Sequence, residues 1–141
     1  MKRNPVYYDY SHIGGDCTNF ISQCIFSGAG VMNYDFNDGW YYVNANDKSP
    51  SWTGVNFLSR FLLNNKGLAP FGQLVSLSQI SMGDVVQLGN DGRFFHSLIV
   101  TEMKNGTPLV CSHSFDALNK PLYDYTFSQL KIIRILGVNT L

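Results

Sequence analysis

Cys17 is the residue of this sequence best placed for covalent chemistry. It follows Asp16 and precedes residues 18–26, whose apolar side chains recur at the spacing of one helix face. Asp16 is a typical helix N-cap, so Cys17 is predicted to lie in the first helical turn. The helix dipole and free backbone N–H groups favour a thiolate there and can stabilise an oxyanion. The position fits a nucleophile that attacks carbonyl groups; taken alone, it also fits a small buried cysteine.

A thiolate nucleophile needs a base that can pass a proton to a leaving amine, and histidine is the usual choice. His12 lies in a glycine-rich lead-in, which is typical of a solvated loop histidine. His96 lies in an apolar run, where strand alternation groups it with Phe94, Leu98 and Val100 on one face. This position fits either a hydrogen-bonded core histidine or a general base.

His113 and Asp116 are the candidates to orient His96. A turn over residues 104–106 is predicted to pair the strand of His96 with the next strand, which ends near His113. His113 could then accept the Nδ1–H bond of His96, and Asp116 is the competing orienter. The order of nucleophile, base and orienter along the chain resembles that of papain-like enzymes.

A change of hydrophobic period along the chain predicts the elements that position these residues. Two amphipathic helices, over residues 18–26 and 55–63, come first. Four strands follow, over residues 84–89, 94–101, 107–112 and 130–136. This order predicts an α+β fold, with N-terminal helices packed on a C-terminal antiparallel sheet of about four to six strands. Residues 31–51 are rich in Asn, Asp, Gly and aromatics and predict a long surface loop.

Composition narrows the expected partners and cofactors. The 141 residues fit a single domain, and ten Lys and Arg residues against ten Asp and Glu leave no positive excess for nucleic acid. No run approaches the ~20 apolar residues of a membrane span, and the first ten residues lack the apolar core of a signal peptide. The three cysteines show no zinc-site spacing, and no metal or organic cofactor is predicted.

Several motifs together carry a resemblance to a known family. They are GDCTNFISQCIFSGAG (15–30), GW (39–40), SPSW (49–52), SMGDVVQL (81–88), FHSLIV (95–100) and SHSFDALNKPL (112–122). On these motifs the chain resembles the putative amidase domain family, which is related to the NlpC-type cell-wall peptidases of the papain-like superfamily. The resemblance runs from Asn4 to about Leu136, and its DCTNFxSQ block is the most distinctive part.

The resemblance implies a papain-like (NlpC-type) fold and assigns the main catalytic roles. Cys17 corresponds to the family nucleophile and His96 to its base. The third polar position falls on His113, with Asp116 in the same block as the alternative. Asn19 belongs to the distinctive block and fits either substrate contact or hydrogen bonding to neighbouring loops.

Aromatic and polar residues near the nucleophile are candidates for substrate binding. Trp40 and Trp52 lie in and after the predicted long loop, where a groove wall for a peptide or glycan and an anchor for the loop fit equally well. Asp16 is first of all a helix cap, but it also lies beside the nucleophile. The predicted substrate-binding residues are Asp16, Asn19, Trp40 and Trp52.

The predicted activity is hydrolysis of an amide or peptide bond through an acyl-enzyme on Cys17. By resemblance alone, the substrate is a bacterial cell-wall peptide or peptidoglycan fragment, the protein is secreted or cell-wall associated, and a longer parent protein could hold further domains. An acyltransferase on the same fold and a catalytically silent cell-wall or glycan-binding module remain open. Redox chemistry between Cys17 and Cys24 is excluded, because two turns of helix separate them by about 10 Å.

Overall fold

The computed structural model describes residues 3–13, 15–113 and 117–141. Its helices are α1 (Cys17–Ala29), α2 (Pro50–Thr53) and α3 (Val55–Asn64). Its strands are β1 (Tyr42–Asn44), β2 (Asp47–Lys48), β3 (Ala69–Val75), β4 (Val85–Asn90), β5 (Arg93–Lys104), β6 (Thr107–Ser112), β7 (Ala117–Pro121) and β8 (Gln129–Asn139). Short 3₁₀ helices at Leu77–Gln79 and Leu122–Asp124 precede β4 and β8. Within these ranges no helix has the length and apolar character needed to cross a membrane.

Strands β3 to β8 form one six-stranded sheet in the order β3-β8-β4-β5-β6-β7. Every pairing within it is antiparallel. Strands β1 and β2 form a separate two-stranded hairpin. The predicted α+β fold, with helices before a mostly antiparallel sheet, is confirmed, and the strand number is at the upper end of the expected range. The papain-like form of this fold stays a prediction.

The six-stranded sheet buries apolar side chains on both faces. On one, the helix face, Val85 belongs to the same cluster as Ile21 of α1 and Leu58 of α3. On the other, the far face, Val86 and Leu98 belong to a second cluster. Because successive residues of a strand point to opposite faces, neighbours such as Val85 and Val86 join different clusters.

Helix α1 forms where the sequence predicts it. Ile21 and Ile25 lie on its buried side, and Gly30 ends it in the left-handed conformation (φ 69°), donating its N–H to the Phe26 carbonyl at 2.8 Å. Asp16 occupies the N-cap position, but its carboxylate makes no capping hydrogen bond with the helix backbone. The prediction that the Asp16 side chain caps the helix is therefore wrong. Its carboxylate accepts hydrogen bonds from the Tyr10 backbone and from the side chains of Asn19 and Arg3 instead.

The sequence analysis missed β3, β7 and the β1–β2 hairpin. Strand β3 contains Pro70 and Gly72, which interrupt the apolar alternation. Gly72 lies at an irregularity in the pairing with β8, where an added Cβ would be 2.5 Å from the backbone oxygen of Arg134. The segment 31–51, predicted as a surface loop, contains β1 and β2 and is anchored by the buried Trp40, which bridges to Asn33.

Candidate active site

Cys17 is the first residue of α1 and is partly exposed. Its Sγ lies 3.8 Å from the Oγ1 of Thr18. Thr18 Oγ1 forms a buried hydrogen bond of 2.9 Å with the Oγ of Ser97 in β5, and Gln87 Nε2 also donates to this Oγ, at 3.3 Å. These bonds attach the start of α1 to the helix face of the sheet. The predicted position of Cys17 in the first helical turn is confirmed.

The buried carboxylate of Asp16 organises the segment before α1. It accepts hydrogen bonds from the Tyr10 backbone N–H (3.0 Å), from Asn19 Nδ2 (2.8 Å) and from Arg3 Nη1 (3.0 Å). The side-chain oxygen of Asn19 in turn accepts from Trp52 Nε1 at 3.0 Å. This network connects the N-terminal segment, the first turn of α1 and α2.

The four residues predicted to bind substrate lie inside the protein. Asp16, Asn19, Trp40 and Trp52 are each at most 2% exposed. The polar groups of the first two are bonded internally, and Trp40 Nε1 donates to the Oγ of Ser22 at 3.1 Å. Buried side chains with bonded polar groups offer no surface to a substrate, so the geometry does not support direct contact. Their contacts attach α1 to the N-terminal segment and to α2.

His113 lies against the first turn of α1, on the helix face. Its ring is almost fully buried and stacks on Phe20, with ring centroids 3.9 Å apart. Its Nδ1 is 2.9 Å from Arg3 Nη1 and 3.6 Å from Asp16 Oδ2. Because a guanidinium group has only N–H donors, Nδ1 must accept this bond. The contact with Arg3 therefore requires the neutral tautomer of His113 with its proton on Nε2.

His96 lies on the far face of the sheet. It pairs with Leu88, a member of the far-face cluster, whereas its neighbour Ser97 contacts α1. The ring of His96 is 5.9 Å from the ring of Tyr125. Burial, with a smaller contribution from the charge of Lys120, lowers the pKa of His96.

The structure thus brings Cys17, Asp16 and His113 to one end of α1 but does not bring His96 to them. Among the residues with described positions, no hydrogen bond joins the Cys17 thiol or the His113 ring to His96. The predicted bond from His96 to His113 is absent because the two rings lie on opposite faces and Arg3 engages His113 Nδ1. Asp116, the other predicted orienter, lies outside the described residues.

Comparison with known proteins decides the family. A profile described as a putative amidase domain matches residues 1–136, almost the entire chain. The chain belongs to this amidase family. Membership indicates an amidase-type hydrolase, which acts on C–N bonds.

One curated relative of this amidase-family chain is the uncharacterized protein YhbB of Bacillus subtilis (strain 168). The two are 34% identical over 121 residues, which is 82% of this chain and 38% of YhbB. The chain therefore spans well under half the length of this relative. No solved structure matches the chain.

Arg3 is the site residue of this amidase-family chain that the sequence analysis missed. It donates to Asp16, 13 residues away, and to His113, 110 residues away. Its Nε also forms an ion pair of 3.1 Å with Asp9. No local motif surrounds Arg3, and its partners become neighbours only in the folded chain. Sequence spacing carried no signal for it.

Acid is expected to destabilise the protein partly through His96. Because its pKa is lower in the folded protein than the ordinary 6.5, the unfolded state binds a proton first as the pH falls. The stability contributed by the neutral His96 is complete above pH 6.5 and is lost as the pH falls through the folded-state value. Urea unfolding at about pH 7.5 and at about pH 5.5 gives the free energy of unfolding at each pH. Its decrease between the two should be larger for the wild type than for His96→Gln.

A second histidine variant controls for general effects of substitution. His12 is exposed in the N-terminal segment, so His12→Gln should keep the pH dependence of the wild type. If His96→Gln also kept it, the inference that burial disfavours the charged form of His96 would be contradicted.

Proposed function

We propose that this chain is a cysteine-dependent amidase that cleaves a peptide or related amide bond, with Cys17 as its nucleophile. One observation carries the proposal: Cys17 begins α1 beside a buried carboxylate and histidine, Asp16 and His113, at the same helical turn. Family membership supplies the reaction class. The remaining steps follow from the chemistry of a thiol at a helix start.

The proposed reaction has two stages. The Cys17 thiolate attacks the carbonyl carbon and forms a C–S bond, and the backbone N–H groups of the first turn of α1 stabilise the resulting oxyanion. The intermediate collapses as the C–N bond breaks, and the leaving amine takes the proton that the base received from the Cys17 thiol. Water then attacks the thioester, and the base accepts one of its protons as the acid is released and the thiolate is restored.

His113 is the base that the geometry supports best, because it shares the helix face with the start of α1. While Arg3 donates to Nδ1, the proton on Nε2 prevents that nitrogen from accepting another. A ring with its proton on Nδ1 would donate to Asp16 Oδ2, now 3.6 Å away, and would leave Nε2 with the lone pair that a base needs. The proposed mechanism therefore requires Arg3 to break its hydrogen bond with His113 Nδ1 before the base acts. His96, which the resemblance implies, is the alternative base.

The proposed substrate is a peptide of the bacterial cell wall, on the strength of the family resemblance. The proposed mechanism is an acyl transfer, and it leaves the acceptor open. If an added amine intercepts the acyl-enzyme, product analysis will show a new amide in place of the free acid. A binding module without catalysis would retain its biological effect when Cys17 is replaced.

Alkylation by iodoacetamide tests the nucleophile. At about pH 7, Cys17 should react at least ~100-fold faster than Cys24, because the Cys24 thiol is held in its unreactive protonated form. Burial, with a smaller effect of Cys111, raises the pKa of the Cys24 thiol to about 11, which keeps it protonated. Peptide mass spectrometry gives the rate at each position, and denatured protein serves as the control in which the rates converge. Labelling of Cys17 no faster than that of Cys24 or Cys111 would remove the basis of the proposal.

A further inference from the structure

A second candidate site lies between α3 and the segment that follows α1. This α3 cleft, with a volume of about 830 Å³, has one wall formed by residues 33–39 and the other by α3 and the loop that ends at Leu68. Its volume is within the range of small-molecule sites. Its lining contains neither Cys17 nor His113. No residue of α1 lines it, so its lining is distinct from the candidate active site.

Internal hydrogen bonds hold the two walls of the α3 cleft in place. In the first wall, the Asp35 carboxylate accepts from the backbone N–H groups of Asn37 (3.0 Å) and Asp38 (2.8 Å). Asn33 Nδ2 of the first wall donates to the Leu68 carbonyl of the second at 3.1 Å and so joins the walls. The cleft is therefore formed before any ligand binds, which lowers the entropy cost of binding.

The two walls of the α3 cleft carry opposite charges. Asp35 and Asp38 lie on one, and Arg60 and Lys66 lie on the other. Within the described part of the chain, no ion pair at 4.0 Å or less joins these four side chains to one another. The Arg60 guanidinium lies 5.0 Å from the centre of the exposed Phe57 ring, which adds an apolar surface to the cleft lining.

We propose that the α3 cleft binds a short zwitterionic peptide, with the ligand's ammonium group at the Asp35–Asp38 wall and its carboxylate at the Arg60–Lys66 wall. Such a ligand has one charge for each wall, and a small side chain can contact Phe57. A neutral sugar carries no charge to complement either wall. A phosphate would be attracted by the cations of one wall but repelled by the carboxylates of the other. This inference does not depend on the catalytic role of Cys17.

An NMR titration of the full chain tests the proposal with a defined probe. L-alanyl-L-alanine, which has both free ends, should give saturable shifts of the amide signals of residues 33–39 and 60–68. The same dipeptide with an acetylated N-terminus and an amidated C-terminus should bind at least ~10-fold more weakly, because both charge contacts are lost. Asp38→Asn and Arg60→Gln should each weaken binding of the free dipeptide by about 10-fold.

Glu102→Gln and Arg93→Gln are the matched controls, since they make the same charge changes at exposed positions away from the cleft. They should leave the affinity unchanged, and the spectrum of each variant reports directly on its fold. The proposal is overturned by equal binding of the free and capped dipeptides, by shifts centred at the start of α1, or by the absence of saturable shifts. Binding of a neutral chitin trisaccharide in the cleft without binding of the dipeptide would overturn it as well.

Discussion

Replacing Cys17 with alanine is expected to lower kcat/KM for amide hydrolysis by about 10⁴-fold or more, because no acyl-enzyme can form without the thiol. The substitution should leave the fold intact. The side chain is partly exposed, and its one hydrogen-bond contact among the described residues is the long 3.8 Å contact with Thr18. Release of the amine product from a cell-wall stem peptide, followed by mass spectrometry, measures the rate.

Cys24→Ala is the matched control for this substitution. It removes the same group from the same helix two turns further along and should keep activity within about threefold of the wild type. Urea unfolding of both variants shows whether either loses stability. Hydrolysis that survives in Cys17→Ala at the wild-type rate would exclude the thiol mechanism. An equal loss in both variants would point to α1 as a structural element only.

The local elements of this fold could be predicted because neighbouring residues determine them. Helix α3 was expected over residues 55–63 and is found at Val55–Asn64, since its apolar residues follow the helical period. Helix α1 was found in the same way, with Gly30 as its stop. The four predicted strands are also present, and their alternation is visible in β4, where Val85 and Val86 join different clusters.

The face on which His96 lies could not be predicted from its own strand. Alternation correctly grouped His96 with Leu98 and Val100, which belong to the far-face cluster. It could not say which face α1 would cover. That choice depends on contacts between distant segments, such as the hydrogen bond between Thr18 and Ser97, 79 residues apart. The predicted contact between Cys17 and His96 would require α1 to cover the opposite face of the sheet.

A bulge in β5 shows a second limit of the alternation argument. Phe94 was grouped with His96, but the pairing with β4 shifts by one residue and leaves Phe95 between the registered pairs. The ring of Phe94 lies 4.3 Å from Lys131 Nζ, which is 3.5 Å from Ser59 Oγ of α3. Phe94 is therefore on the helix face. A single extra residue reverses the assignment of every side chain before it.

The interior position of the tryptophans also required the tertiary structure. The residues around Trp40 and Trp52 have the composition of a surface loop, and the local pattern left a groove wall and a loop anchor equally open. In the structure both rings are fully buried, with centroids 4.7 Å apart, and Trp52 donates to Asn19 in the motif that contains Cys17. The distinctive DCTNFxSQ block is thus in part a packing motif that fixes the start of α1.

Replacing His113 with glutamine is expected to lower kcat for amide hydrolysis by about 10³-fold, the usual range for a lost general acid–base group. His96→Gln should change kcat by less than about threefold, because His96 lies on the far face beside Tyr125. Arg3→Gln should move the ring proton of His113 from Nε2 toward Nδ1, since Nδ1 no longer accepts from Arg3 and can donate to Asp16 Oδ2, 3.6 Å away. The ¹⁵N shifts of the imidazole report this tautomer directly.

The three variants separate catalysis by His113 from a structural role in holding α1. A structural role predicts that His113→Gln loses stability in urea unfolding in proportion to its loss of rate. A catalytic role predicts a stable variant whose rate no longer follows the protonation of a histidine. The reverse result, a 10³-fold loss in His96→Gln and near-normal rates in His113→Gln, would assign the base to His96. Because a strand residue cannot change faces without a one-residue shift of its register, that result would also require β5 to re-pair in the active enzyme.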